Sequence, residues 1–107
     1  MWTWEQVVDQ YRVIGERPKY YDLAQNMIRL IDEIQQHPEF STLEARLALG
    51  ALTLGLPDKT RHVHIYWTEK DLYEIFLDHC EGEFYGENVV VPFSQVLSTV
   101  KVYLEKL

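Results

Sequence analysis

The strongest constraint on the fold is an alternation of apolar and other side chains within residues 61 to 79. Two runs place an apolar residue at every second position, with a short break between them. These positions are Val63, Ile65 and Trp67 in the first run and Tyr73, Ile75 and Leu77 in the second. Because successive side chains of a strand point to opposite faces, each run predicts a strand with one apolar face. Together the runs predict an antiparallel β-hairpin over residues 61 to 79.

The register of this hairpin follows from the same pattern, because residues that pair across strands share a face of the sheet. Pairing Trp67 with Tyr73 forms an apolar ladder, whereas a shift by one residue would place Ile65 opposite Glu74. The ladder continues with the pairs Ile65–Ile75 and Val63–Leu77. The other face then carries the pairs Tyr66–Glu74, His64–Phe76 and His62–Asp78.

Three segments have the apolar spacing of amphipathic helices. The spacing predicts helices over about residues 4 to 15, 20 to 36 and 93 to 106. Thr3 followed by Gln6 matches a capping box at the start of the first helix, and Pro18 ends that segment. Pro92 opens the last helix, which has the most regular apolar spacing in the chain.

The remaining segments are shorter and more ambiguous. Ser41 and Glu44 match a second capping box and predict a short helix ending at Gly50, although residues 47 to 51 also alternate as in a strand. Residues 51 to 56 favour a strand, and residues 88 to 91 predict a strand buried on both faces. The element order predicts one α+β domain over residues 1 to 107, with two N-terminal helices, a small antiparallel sheet of three to four strands and a C-terminal helix.

The net charge restricts the classes of partner. Seventeen acidic and ten basic residues give a charge of −7 at pH 7, which repels phosphate backbones and anionic membranes. We therefore expect neither nucleic-acid binding nor membrane binding. Residues 78 to 87 are rich in acids and contain no Lys or Arg. This segment is either a solvated loop or a docking patch for a basic partner protein.

A single cysteine, Cys80, cannot form an internal disulfide, which is typical of a reducing compartment. The first residues lack the pattern of a secretory signal, and the longest apolar run is too short to span a bilayer. We therefore expect a cytoplasmic protein. No glycine-rich phosphate-binding motif is present, and we expect no cofactor.

His62 and His64 form the one pattern that suggests metal chemistry. Two residues apart on a strand, both imidazoles leave the same face, where the predicted register adds Asp78. This set suits Zn²⁺, while the alternative is an ordinary cross-strand contact between His62 and Asp78. The same pair can act as a general base with its orienting acid, but no nucleophile motif accompanies it. We therefore expect no catalytic residue.

The chain contains three Trp, seven Tyr and four Phe, more than one small core easily buries. Several of these aromatic residues lie off the apolar stripes and close to acidic residues, a combination used at protein interfaces. The candidate partner-binding residues are Tyr66, Phe76, Asp78, Glu81, Glu83, Phe84, Tyr85 and Glu87. The alternatives are that Phe84 and Tyr85 fold back over the core, or that the aromatic residues close a homodimer.

An acidic α+β domain that ends in a strand, Pro92 and an amphipathic helix is similar in outline to many bacterial immunity proteins and antitoxins, which neutralise a basic enzyme by binding it. The resemblance lies in the outline alone and transfers no residue roles. We expect a non-catalytic cytoplasmic protein-interaction module, such as an inhibitor or immunity-type partner of a basic protein. The alternatives are a metal-binding protein or metal-dependent enzyme that uses His62 and His64, and a homodimeric structural subunit.

Overall fold

The computed structural model describes residues 2–78 and 86–107. It contains the helices α1 (Trp4–Ile14), α2 (Tyr21–Gln35) and α3 (Phe93–Leu104). The strands are β1 (Glu44–Ala48), β2 (Ala51–Gly55), β3 (Val63–Glu69), β4 (Leu72–Asp78) and β5 (Gly86–Pro92). The expected α+β class and the positions of the three helices are confirmed. The sheet has five strands, one or two more than the sequence pattern predicted.

Both capping interactions predicted at the start of α1 are present. The Thr3 hydroxyl accepts a hydrogen bond from the Gln6 backbone N–H at 3.1 Å, and the Gln6 side chain accepts one from the Thr3 backbone N–H at 2.8 Å. The backbone N–H groups of Thr3 and Gln6 therefore each have a side-chain acceptor at the start of α1. Four consecutive residues are enough to encode this helix start.

Residues 44 to 55 form a second β-hairpin, so the predicted short helix ending at Gly50 is wrong. Ser41 instead ends a short 3-10 turn, and Glu44 begins β1. Leu49 and Gly50 have φ angles of 54° and 83°, and two successive positive φ angles suit the tight turns that join twisted antiparallel strands. The strand alternation around this turn therefore outweighs the local capping-box pattern.

The five strands form an antiparallel sheet in the order β1-β2-β3-β4-β5, so each strand pairs with its neighbour in sequence. The predicted register of β3 with β4 is confirmed. The observed pairs are Trp67–Tyr73, Ile65–Ile75, Val63–Leu77, Tyr66–Glu74 and His64–Phe76. A register irregularity between Trp67 and Glu69 adapts the strands to the turn that joins them.

All three helices pack on the sheet face that carries the apolar ladder. The Tyr73 hydroxyl donates a hydrogen bond to the Asn26 carbonyl of α2 at 3.0 Å, and the Tyr73 ring lies 5.9 Å from the Phe93 ring of α3. Past the end of α3, the Lys106 ammonium contacts Glu87 of β5 at 2.8 Å. The sheet residues buried in the core on this face are Ala45, Leu52, Leu54, Val63, Ile65, Tyr73, Ile75, Leu77 and Val91.

Strand β5 lies at an edge of the sheet, so the expectation that residues 88 to 91 are buried on both faces is wrong. Val89 is 36% exposed and Val90 is 50% exposed, whereas Val91 is 7% exposed and reaches the core. No further strand within residues 2–78 and 86–107 pairs with the outer edge of β5. A run of valines without alternation therefore does not by itself identify a central strand.

Helices α1 and α2 approach closely at Gly15, and a Gly15→Ala substitution tests this approach. The φ angle of Gly15 is −70°, which alanine adopts without strain, but an added Cβ would lie 2.8 Å from the Cβ of Ala24. We expect the variant to lose about 1–3 kcal/mol of unfolding free energy, measured by urea denaturation. The same substitution in an Ala24→Gly background should be less destabilising, because the contacting group is gone. Equal losses in both backgrounds would contradict the clash.

Candidate functional site

The sheet face opposite the helices, which we call the open face, carries the polar and aromatic residues that the sequence pattern singled out. The register aligns one row of open-face residues across all five strands: Arg46, Thr53, His64, Phe76 and Asn88. A neighbouring row contains Tyr66, Glu74 and Val90. None of the three helices in the described part of the chain packs on this face. The fold is thus a two-layer structure with helices on one side of the sheet.

Thr53, His64 and Asp78 form a buried polar network on the open face. Thr53 Oγ1 and His64 Nδ1 are hydrogen bonded at 2.9 Å, and His64 Nε2 lies 3.5 Å from Asp78 Oδ2. Asp78 Oδ1 accepts a hydrogen bond from the His62 backbone N–H at 2.7 Å, while His62 Nδ1 lies 3.7 Å from Asp78 Oδ2. Thr53 and Asp78 are 1% exposed and His64 is 3% exposed. One buried carboxylate therefore faces both imidazoles.

Burial lowers the pKa of His64, because the charged imidazolium would lose its hydration. The charge of Asp78 and its hydrogen bond act in the opposite direction, and the neighbouring His62 and Arg46 lower the pKa of His64 further. The net direction is downward, so the folded protein holds His64 in its neutral form at neutral pH.

The succession Thr53, His64 and Asp78 matches the order of hydroxyl, base and acid in hydrolase triads, but the position of Thr53 does not suit catalysis. Thr53 lies in the middle of β2, between β1 and β3, and is only 1% exposed, so its hydroxyl presents almost no surface to a substrate. The hydrogen bond between Thr53 and His64 instead satisfies two polar groups that the sheet buries.

The metal interpretation of His62, His64 and Asp78 stays a prediction. The two imidazoles face Asp78 Oδ2 at 3.5 and 3.7 Å. Among residues 2–78 and 86–107, however, no three His, Cys, Asp or Glu side chains have the arrangement of a metal site. Cys80 lies outside the described residues.

The structure separates the predicted partner-binding residues from one another. Tyr66 and Phe76 lie on the open face and are partly exposed. Asp78 is buried in the polar network, and Glu87 lies on the helix-covered face, where it pairs with Lys106 at 2.8 Å. The remaining predicted residues lie outside the part of the chain that the structure describes: Glu81, Glu83, Phe84 and Tyr85.

The sequence pattern did not identify Thr53, the hydroxyl partner of His64. The two residues are neighbours only because β2 pairs with β3 through Thr53↔His64, a contact between strands that are not joined by a tight turn. The ambiguous pattern of residues 41 to 56 gave no register from which to predict this pair. Thr53 could have been predicted as the neighbour of His64 only if the whole segment had been assigned to strands.

Comparison with known proteins gives no functional information. No family model matches the chain, and searches of curated proteins and of solved structures find no significant match. Within the described residues, none of the helices has both the length and the apolar character needed to cross a membrane.

The neutral, buried state of His64 predicts a pH-dependent stability. As the pH falls below the ordinary histidine pKa of 6.5, the unfolded chain binds a proton that folded His64 does not bind, so the unfolding free energy decreases. We expect the melting temperature to fall between about pH 7.5 and pH 5.5, and to fall less in a His64→Gln variant. A His37→Gln variant, which removes a half-buried imidazole beside Glu33 and Glu39, is the control. If His64→Gln keeps the full pH dependence of the wild type, the burial argument is wrong.

Proposed function

We propose that this protein is a non-catalytic, cytoplasmic protein-interaction module that binds a basic partner protein through the open face. The observation that carries the proposal is the partial exposure of Tyr66 and Phe76 on a sheet face that no described helix covers. Aromatic side chains contribute much of the binding energy at protein interfaces. Exposed apolar patches on small proteins commonly mark such interfaces.

The polar contacts between the strands of the open face support this proposal. Beneath the aromatic side chains, the Thr53–His64 hydrogen bond and the Asp78 carboxylate join β2, β3 and β4. At the β4–β5 side, Asn88 Nδ2 donates a hydrogen bond to the Glu74 carboxylate at 2.9 Å. A surface whose side chains are already ordered loses less conformational entropy when a partner binds.

Charge supports a basic rather than an acidic partner. The chain has a net charge of −7, so its long-range field attracts positively charged proteins and accelerates their association. The acidic and aromatic residues Glu81, Glu83, Phe84 and Tyr85 join this proposal on sequence grounds. The cytoplasmic location rests on the single cysteine, Cys80, which forms no internal disulfide.

Affinity capture with matched variants tests the proposed surface. Immobilised wild-type protein should retain a basic protein from an extract of the source cells, and a Tyr66→Ser/Phe76→Ser variant should retain at least about tenfold less. The control is Tyr21→Ser, which removes an aromatic side chain that is 54% exposed on α2. Thermal unfolding checks that each variant is folded. Equal capture of the same basic protein by all three proteins would refute the surface assignment, and capture of an acidic protein alone would refute the charge argument.

A second candidate role, a homodimeric subunit, is favoured by the exposed edge of β5. The Phe93 backbone N–H donates a hydrogen bond to the Asp71 carbonyl at 3.1 Å, so Phe93 is bonded to the chain at the start of β4. In an antiparallel pair, every second residue bonds to the neighbouring strand. The backbone N–H and C=O groups of Val90 and Asn88, which lie three and five residues before Phe93, therefore point away from β4. Glu87 is already paired with Lys106. Unpaired charged side chains commonly protect edge strands from pairing with another chain. Within the described residues, the β5 edge has no such side chain.

Analytical ultracentrifugation of a Val89→Lys variant tests this second role. If two β5 strands pair antiparallel with Asn88 opposite Val90, each Val89 lies opposite the Val89 of the other copy. In the Val89→Lys variant, the two introduced lysines would therefore face and repel each other. Wild type and the control Val102→Lys, which changes a 50% exposed valine of α3, should sediment as dimers, and Val89→Lys as a monomer. A monomeric wild type at about 100 μM, far above the dissociation constant of a stable dimer, would exclude the homodimer.

A further inference from the structure

A cavity of about 430 Å³ lies between the end of α1, the start of α2 and the β1–β2 turn. This volume falls within the range of small-molecule sites in proteins, roughly 300–1,000 Å³. The residues that line it include Val13, Ile14, Arg17, Tyr20, Leu49 and Tyr66. The lining is mostly apolar, with one guanidinium and two phenol groups as its polar side chains.

Exposed apolar side chains concentrate at this cavity. Val13 is 56% exposed, Tyr20 is 36% exposed and Leu49 is 85% exposed, and all three line it. Leu49 also has a φ of 54°, a left-handed conformation that asparagine or glycine adopts more easily than leucine. Neither packing nor turn geometry therefore explains a leucine at this position.

The turn that carries Leu49 is held in place. The hydroxyl of Tyr11, a fully buried residue, donates a hydrogen bond to the Gly50 carbonyl at 2.8 Å. Burial raises the pKa of Tyr11, so this hydroxyl keeps its proton. The ring of Tyr66 packs close to Gly50, where an added Cβ would lie 3.3 Å from the ring. The wall of the cavity is therefore preformed.

The charge at the cavity is positive although the chain is acidic. Arg17 is the one charged residue of the lining, and no carboxylate among residues 2–78 and 86–107 lies within ion-pair distance of it. The Lys19 ammonium lies 5.6 Å from the centre of the Tyr20 ring, at the same rim. The first turn of α2 begins beside Tyr20, and no side chain caps it. Asp22 in that turn offsets its partial positive charge, so the positive charge of the lining comes from Arg17.

We infer that this cavity binds a small amphipathic monocarboxylate, such as a medium-chain fatty acid. The apolar part of the ligand lies against Val13, Ile14 and Leu49, and the carboxylate pairs with the Arg17 guanidinium. One guanidinium neutralises one carboxylate, whereas a dianion would leave a second charge uncompensated beside apolar walls. This site overlaps the proposed partner surface at Tyr66, and its other lining residues lie outside the open face.

Titration of ¹⁵N-labelled protein with sodium octanoate tests the inference, with octan-1-ol as the uncharged probe. Octanoate should cause saturable amide shifts at Val13, Leu49 and Gly50. Arg17→Gln should weaken octanoate binding by about tenfold and leave octan-1-ol binding unchanged, because only the charged hydrogen bond is lost. Arg17 has an exposed side chain, so this variant is expected to fold.

A second variant separates the apolar contact from the charge. Leu49→Asn keeps a residue that tolerates the left-handed turn, and it should weaken the binding of both probes. The control Val102→Asn, on α3 and outside the cavity, should bind both probes as the wild type does. The inference is overturned if octanoate gives no saturable shifts at the cavity up to about 10 mM, a concentration that would saturate a site with a millimolar dissociation constant. It is also overturned if Arg17→Gln binds octanoate as tightly as the wild type.

Discussion

The pairing register of β3 with β4 decides which side chains the three helices can bury. In the observed register, Val63, Ile65 and Ile75 all face the helices and are 0% exposed. Full burial of an aliphatic side chain contributes about 1.5–3 kcal/mol, so a shift of one strand by one residue would forfeit several such contributions. The same shift would turn Glu74 and Asp78 toward the helices. The helix layer and the hairpin register therefore stabilise one another.

Because the helices occupy one face, the polar and aromatic residues of the hairpin are collected on the other. Thr53 and His64 are hydrogen bonded beside the buried Asp78 carboxylate, while Tyr66 and Phe76 stay partly exposed. The proposed partner surface is a consequence of this division. The cavity beside Arg17 has a different origin, since it forms where α1, α2 and the β1–β2 turn meet at the end of the sheet.

The parts of the fold that sequence patterns predicted well are those that rest on close neighbours. The Thr3–Gln6 capping box and the β3–β4 register involve residues near in sequence, and both are present. Residues 41 to 50 were mispredicted because a capping box and strand alternation fit the same residues, and the pairing of β1 with β2 decides between them. The open-face candidates Tyr66 and Phe76 followed from the hairpin, whereas Thr53 and the cavity residues depend on contacts between distant segments.

Residue types at short separations determined the alternation of β3 and β4 and the three amphipathic helices, and composition alone determined the acidic charge. Tertiary structure alone decided that β5 is an edge strand, that Thr53 meets His64, and that Leu49 and Arg17 border one cavity. This difference arises because the spacing of apolar residues along a segment selects its local conformation and the face that it buries. Which segment covers that face depends on the packing of the whole chain.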